Sequence, residues 1–184
     1  MSQFLRLITH YSLLILIILI QACKPKEVVL PNETELITTV KLSFTDSSNV
    51  GNILTFVFRD IDGAGGNAPT QFDTIKLNSN KTYTMKLVLL DESKTPTDST
   101  SNEVLEEGID HQFFFNISSG LNITTSYQDL DANSKPIGIQ SKWETGAIAN
   151  GTATVVLKHQ PGIKDGNQAT GETDVEVVFP VRVE

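Results

Sequence analysis

The sequence predicts an all-β chain: an antiparallel immunoglobulin-like β-sandwich with one short helix, standing behind an N-terminal export signal and a tether. Three observations predict it. Seven segments alternate apolar and polar residues with a period of two, and the stretches between them are rich in Gly, Asn, Asp and Pro. Only one stretch carries helix start and stop signals, and a chain of many short punctuated strands closes most simply as two packed sheets.

Taken in order, residues 1–22 come first. Arg6 precedes an unbroken apolar run from Leu13 to Ile20, and small Ala22 stands just before Cys23. That is the pattern of a secretory signal peptide. The run is short of the roughly 20 apolar residues that cross a bilayer core. The motif Ile20-Gln21-Ala22-Cys23 resembles the lipobox of bacterial lipoproteins, which implies that Cys23 is acylated and becomes the first residue of the mature chain. Two or more acyl chains hold a protein firmly at a membrane surface. Residues 23–35 then read as a lipidated tether, because "KPKEVVLPNETE" has two prolines and no helical period. Extended, it reaches at most about 40 Å. One domain is expected over residues 36–184.

Within that domain the strand candidates are "LITTVKLSF", "NILTFVFR", "TYTMKLVLL", "HQFFFNI", "LNITTSY", "TATVVLK" and "DVEVVFPVRV". In the third, Tyr83, Met85, Leu87 and Leu89 share one parity. In the last, Val175, Val177, Phe179, Val181 and Val183 do so, while Pro180 lacks a ladder donor and points to an edge or a bulge. Thr100 and Glu103 have capping-box spacing, and Gly108 stands where a helix would end. Glu106 and Glu107 fall in the last turn of that helix, where negative charge is disfavoured and a cation would be welcome.

Composition narrows the chemistry. Without residues 1–22 the chain has 162 residues and loses Arg6 but no acid, so 14 basic residues become 13 against 22 acidic and the net charge goes from −8 to −9. Phosphate binding needs clustered Lys and Arg, so nucleic acid is not an expected partner. Cys23 is the single cysteine, and its acylation would leave no thiol for catalysis, disulfides or thiolate metal sites. There is no GxSxG and no phosphate-cradling glycine loop with a Lys, so the chain does not read as an enzyme.

The candidate site lies around "EVLEEGIDHQFFF". Parity places His111 at the head of a core-facing row with Phe113 and Phe115, and His159 at the end of another with Val155 and Leu157. If the two strands run antiparallel, both imidazoles lie at one end of the sandwich. Glu106, Glu107 and Asp110 are near the first histidine, and Asp165, Glu172 and Asp174 near the second. Two imidazoles with one or two carboxylates suit Zn²⁺ or Cu²⁺, and the ligand set read from the sequence is His111, His159, Glu107, Asp110 and Glu172. The same positions also suit half-buried imidazoles bonded to a carboxylate or a backbone carbonyl. A second loop, "RDIDGAGGNAP", offers Asp60, Asp62 and Asn67 as oxygen ligands for Ca²⁺ without the later acids of an EF-hand loop. The preferred reading of this loop is a glycine-rich connection.

The segments "ELITTVKLSF", "FRDIDGAGGNAP", "EEGIDHQFFF", "LNITTSYQDLDANSKPIG" and "LKHQPGIKDGNQATGETDVEVVFPV" together resemble a family of small Bacteroidota lipoproteins. That family is labelled type 1 periplasmic binding fold proteins and is often encoded beside TonB-dependent outer-membrane receptors. The resemblance implies a cell-envelope lipoprotein, anchored through Cys23 to the outer membrane on its periplasmic or surface side, and a receptor as partner. It implies no catalytic role. A type 1 periplasmic binding fold is built from two doubly wound α/β lobes, whereas the strands here have period two, so the expectation stays with the sandwich. The expected function is an accessory module that binds a ligand or metal, or docks on the receptor. The alternative is a purely structural or adhesive sandwich with both histidines as core caps.

Overall fold

The computed structural model of the chain describes residues 36–63 and 65–184. The signal peptide 1–22, Cys23 and the tether 23–35 expected from the sequence lie outside them. The described chain forms β1 (Thr39–Asp46), β2 (Ile53–Arg59), β3 (Gln71–Phe72), β4 (Ile75–Leu77), β5 (Thr82–Leu90), α1 (Thr100–Glu106), β6 (His111–Ile117), β7 (Ile123–Tyr127), β8 (Gln140–Thr145), β9 (Ala149–His159) and β10 (Glu172–Val183). Six strands make one sheet in the order β3-β2-β1-β5-β8-β7, and four make the other in the order β4-β10-β9-β6. The result is a two-sheet β-sandwich with one short helix. None of the described helices is long and apolar enough to cross a membrane.

The alternation read from the sequence is what builds the core. Along β1, Val40, Leu42 and Phe44 are fully buried and oppose Leu89, Leu87 and Met85 of β5 in register. Phe44 meets the Trp143 ring edge-on at 5.2 Å, and Tyr83 pairs with Trp143 across β5 and β8. The smaller sheet answers with Phe113, Val155, Leu157, Val177, Phe179 and Val181, all buried in the same cluster. The predicted parity of β5, β6, β9 and β10 therefore holds at the core face.

Several elements differ from the expectation. Strand β8, "QSKWET", carries one large apolar side chain, and its inward-facing neighbours Ser141 and Thr145 are polar, so hydrophobic periodicity does not mark it. Strand β4 pairs with β10 in parallel, Ile75 opposite Val181, the one parallel pairing among the described strands. Strand β10 is consequently not an edge at its end. Pro180 still falls where no donor is needed: Thr152, opposite it, turns both of its backbone groups to Ser118 on the β6 side, its nitrogen donating to Ser118 Oγ (2.8 Å) and its carbonyl accepting from Ser118 N (2.9 Å). The Pro180 nitrogen thus faces the margin that β4 leaves uncovered until Val181.

The helix lies where expected, but its capping box does not form. Ser99 is the N-cap residue and makes no side-chain cap bond, while Thr100 is already helical. What holds α1 is its packing: Val104 is buried, and the Ser101 hydroxyl accepts from Leu89 N (2.5 Å) and donates to Leu89 O (3.3 Å).

Candidate metal centre

The pairing of β6 with β9 places the two histidines directly opposite each other, His111 against His159, at the end of the core-facing rows. Their rings stack with centroids 4.6 Å apart and planes 16° from parallel. His111 is buried and His159 half-buried. The short turn from α1 into β6 brings Glu107 alongside. The Glu107 carbonyl accepts from His111 Nδ1 at 3.2 Å, and its carboxylate Oε2 lies 3.9 Å from the same nitrogen. A carbonyl can only accept, so this bond places the proton on Nδ1 and leaves Nε2 with the lone pair.

That lone pair faces Asp174. The Asp174 Oδ2 atom lies 3.8 Å from His111 Nε2, with its side chain 8% exposed, and its Oδ1 atom is buried without a hydrogen-bond partner among the described residues. By parity alone Asp174 would face away from the core, since Val175 and Val177 face in. A bulge overturns the parity: the β9–β10 register shifts between Thr173 and Val175, which leaves Asp174 as the extra residue and turns its side chain to the inner face.

Burial sets the electrostatics. It pushes the His111 imidazole below its ordinary value, against the Glu107 carbonyl bond, and the positive charge that His159 can carry adds to the depression. Burial also pushes the Asp174 carboxyl up, opposed by the two imidazoles. Both shifts disfavour a proton-mediated ion pair. They suit a bound cation, because a metal takes neutral imidazole and offsets the cost of a buried carboxylate.

Ligand atoms of Glu107, His111 and His159 all lie within 4.8 Å of one another. Donors held at about 2.1 Å in a tetrahedral zinc site are about 3.4 Å apart. Imidazole lone pairs lie in the ring plane, so two near-parallel stacked rings direct them side by side rather than to one point. Metal binding therefore requires one ring to turn out of the stack.

The other residues singled out by the sequence fall elsewhere. Asp110 accepts from Gly162 N at 3.0 Å through Oδ1 and from Gln160 N at 2.6 Å through its carbonyl, which ties the β9–β10 loop to the start of β6 rather than offering a ligand. Glu172 is exposed and stands opposite His159 in the ladder, outside the group of ligand atoms. Asp165 accepts from Asn167 N (2.8 Å) and Thr170 Oγ1 (3.0 Å) within its own loop. Just past the helix the Lys164 ammonium donates to Gly108 O at 2.7 Å, a cation at the helix C-terminus, while its carboxylate partner is Asp131. In the glycine-rich loop Asp60 is buried, and Asn67 turns its nitrogens to Asp62, the backbone N at 2.8 Å and Nδ2 at 2.6 Å. Cys23, the expected acylation site, lies outside the described residues.

No protein-family model, no curated protein and no solved structure matches the chain.

Proposed function

We propose that the protein is a lipid-anchored lipoprotein of the bacterial cell envelope, not an enzyme, whose sandwich binds a divalent transition metal, zinc or copper, at the His111–His159 end. In this reading it serves as an accessory to an outer-membrane TonB-dependent receptor, held to the membrane through Cys23. The observation that carries the metal reading is the meeting of Glu107, His111 and His159 ligand atoms within 4.8 Å, three residues from a helix turn and two strands. Imidazole nitrogen with carboxylate oxygen is the donor set of Zn²⁺ and Cu²⁺ rather than of Mg²⁺ or Ca²⁺. The buried Asp174 carboxylate on the Nε2 side of His111 supplies a further negative charge. Exposed Glu107 leaves the ion a path from solvent.

The second reading is a structural sandwich in which the stacked histidines close the core, and the near-parallel rings favour it. Thermal melts of the purified protein with Zn²⁺, Cu²⁺ or a chelator separate the two. At a hundredfold excess of metal over Kd, binding stabilises the fold by about 2.7 kcal/mol. The shift should be lost in His111→Ala and in His159→Ala, weakened in Glu107→Gln and Asp174→Asn, and kept in Glu172→Gln. Equal shifts in wild type and both histidine variants, or no shift with any metal, would leave the structural reading standing.

A further inference from the structure

We propose that Asp60 and Asp62, at the far end of β2, hold a hard divalent cation, Ca²⁺, in a second site made of oxygen ligands and independent of the histidine cluster. The carboxyl of Asp60 is the observation that requires it. Asp60 is 9% exposed, and its Oδ1 atom is buried with no hydrogen-bond partner among the described residues. Its backbone is pinned, the nitrogen donating to Thr38 O at 2.8 Å, so the carboxyl cannot withdraw by a shift of the main chain.

Asp60 has a second acid near it. Asp62 follows two residues later in the same loop, and it is itself locked in place by the two Asn67 nitrogens on its Oδ2 atom. A β-carbon at Gly66 would sit 2.4 Å from that oxygen, so the loop closes directly over the carboxylate. No ion pair among the described residues includes either acid. Arg59, next to Asp60 in the chain, donates its Nε to Glu92 Oε1 at 3.0 Å.

Two neighbouring carboxyls, one of them buried with an unpartnered oxygen, have two ways to coexist: they share a proton, or they share a cation. Every donor offered is an oxygen, which selects a hard ion. Ca²⁺ accepts irregular sets of six to eight oxygens and completes them with carbonyls and water, whereas Mg²⁺ demands near-octahedral geometry. The spacing Asp60-Ile61-Asp62-Gly63 is that of the first two acids of a calcium loop. The terminal bidentate Glu of such loops is missing, which places the affinity in the weak range of extracellular modules, about 10⁻⁴ to 10⁻³ M.

Isothermal titration of the purified full chain with CaCl₂, and separately with MgCl₂, tests the site directly. One equivalent of Ca²⁺ should bind in the millimolar range or tighter, with Mg²⁺ at least tenfold weaker. Asp60→Asn and Asp62→Asn should each weaken Ca²⁺ binding at least tenfold, while His111→Ala leaves it unchanged and Zn²⁺ does not compete for it. In the presence of a chelator Asp60→Asn should melt no lower than wild type, since it removes the unpaired charge and keeps the shape. That comparison also verifies that the variant folds. Absence of Ca²⁺ binding by wild type up to about 10 mM, well above the weak end of that range, would overturn the site in favour of a shared proton, as would unchanged binding in Asp60→Asn.

Discussion

Lys164 shows how a single side chain organises the end of the sandwich that carries the histidines. Its ammonium lies between Asp131 Oδ2 at 2.8 Å and Gly108 O at 2.7 Å, with the Lys164 and Asp131 side chains 2% and 1% exposed. Lys135 donates in turn to the Lys164 carbonyl, and the Asn133 and Lys135 backbone nitrogens donate to Asp131 Oδ1. The turn after α1, the β7–β8 loop and the β9–β10 loop are thereby tied together. Removing one member of a buried pair strands the other charge, so Lys164→Met is expected to cost about 3–5 kcal/mol in urea unfolding. The double variant Lys164→Met, Asp131→Leu should recover much of that loss, and a single-variant cost under about 1 kcal/mol would show that the pair is solvated. Acid unfolding reports on the same pair. Burial alone would raise the Asp131 carboxyl, but the Lys164 bond and the Lys135 and Asn133 amides outweigh it and hold it below its ordinary 3.8. A carboxyl depressed on folding lends stability that is complete above its unfolded value and lost as pH falls through the folded one. Wild type should therefore lose this increment below about pH 4, the ordinary carboxylate range, and Asp131→Asn should show a flatter acid limb.

At the scale of elements, α1 acts as a substitute strand. Strand β8 pairs with β5 only from Thr82 to Lys86, which leaves the backbone of Leu87 and Leu89 without a ladder partner on that side. Ile139 O accepts from Leu87 N at 2.9 Å, and the Ser101 hydroxyl meets the Leu89 backbone from α1. Ser101→Ala would leave the Leu89 N–H buried and unpaired, which costs about 1–3 kcal/mol. Ser99→Ala should cost much less, because the Ser99 side chain makes no cap bond. Chemical denaturation of the two variants compares them, and equal losses would mean that α1 is held by its cap and not by the strand it completes. The strands β5, β6 and β10 were legible because their inward residues are large and apolar. Strand β8 was not, because Ser141 and Thr145 flank its one tryptophan. The two-residue β3 and three-residue β4 are too short to show a period at all.

For the whole molecule, one core shared by both sheets predicts one cooperative unfolding transition, the same by circular dichroism and by Trp143 fluorescence. Two separated transitions would mean that the sheets unfold independently. The membrane attachment expected from the lipobox resemblance is tested apart from the fold: Cys23→Ala should leave an unprocessed or unlipidated precursor, read by mass spectrometry and detergent partitioning. An acylated Cys23→Ala protein would remove the lipoprotein reading and leave the sandwich untouched.

The sequence by itself determined which residues face the core, because alternation is a property of the extended backbone and needs no partner to be visible. That parity also put His111 and His159 at core-facing strand ends, which an antiparallel pairing of their strands would bring to one end of the sandwich, and β6 and β9 pair that way. What only the tertiary structure decided is which carboxylates join them. Glu107 reaches His111 through the turn after α1, Asp110 is drawn off to the β9–β10 loop, and Asp174 replaces Glu172 because a bulge reverses its face. A bulge arises from the pairing of two strands, and its position depends on contacts between residues far apart in the chain, so no local pattern announces it. The partition into six strands and four, the parallel seat of β4 and the stacking of the two imidazoles follow from the same long-range pairing.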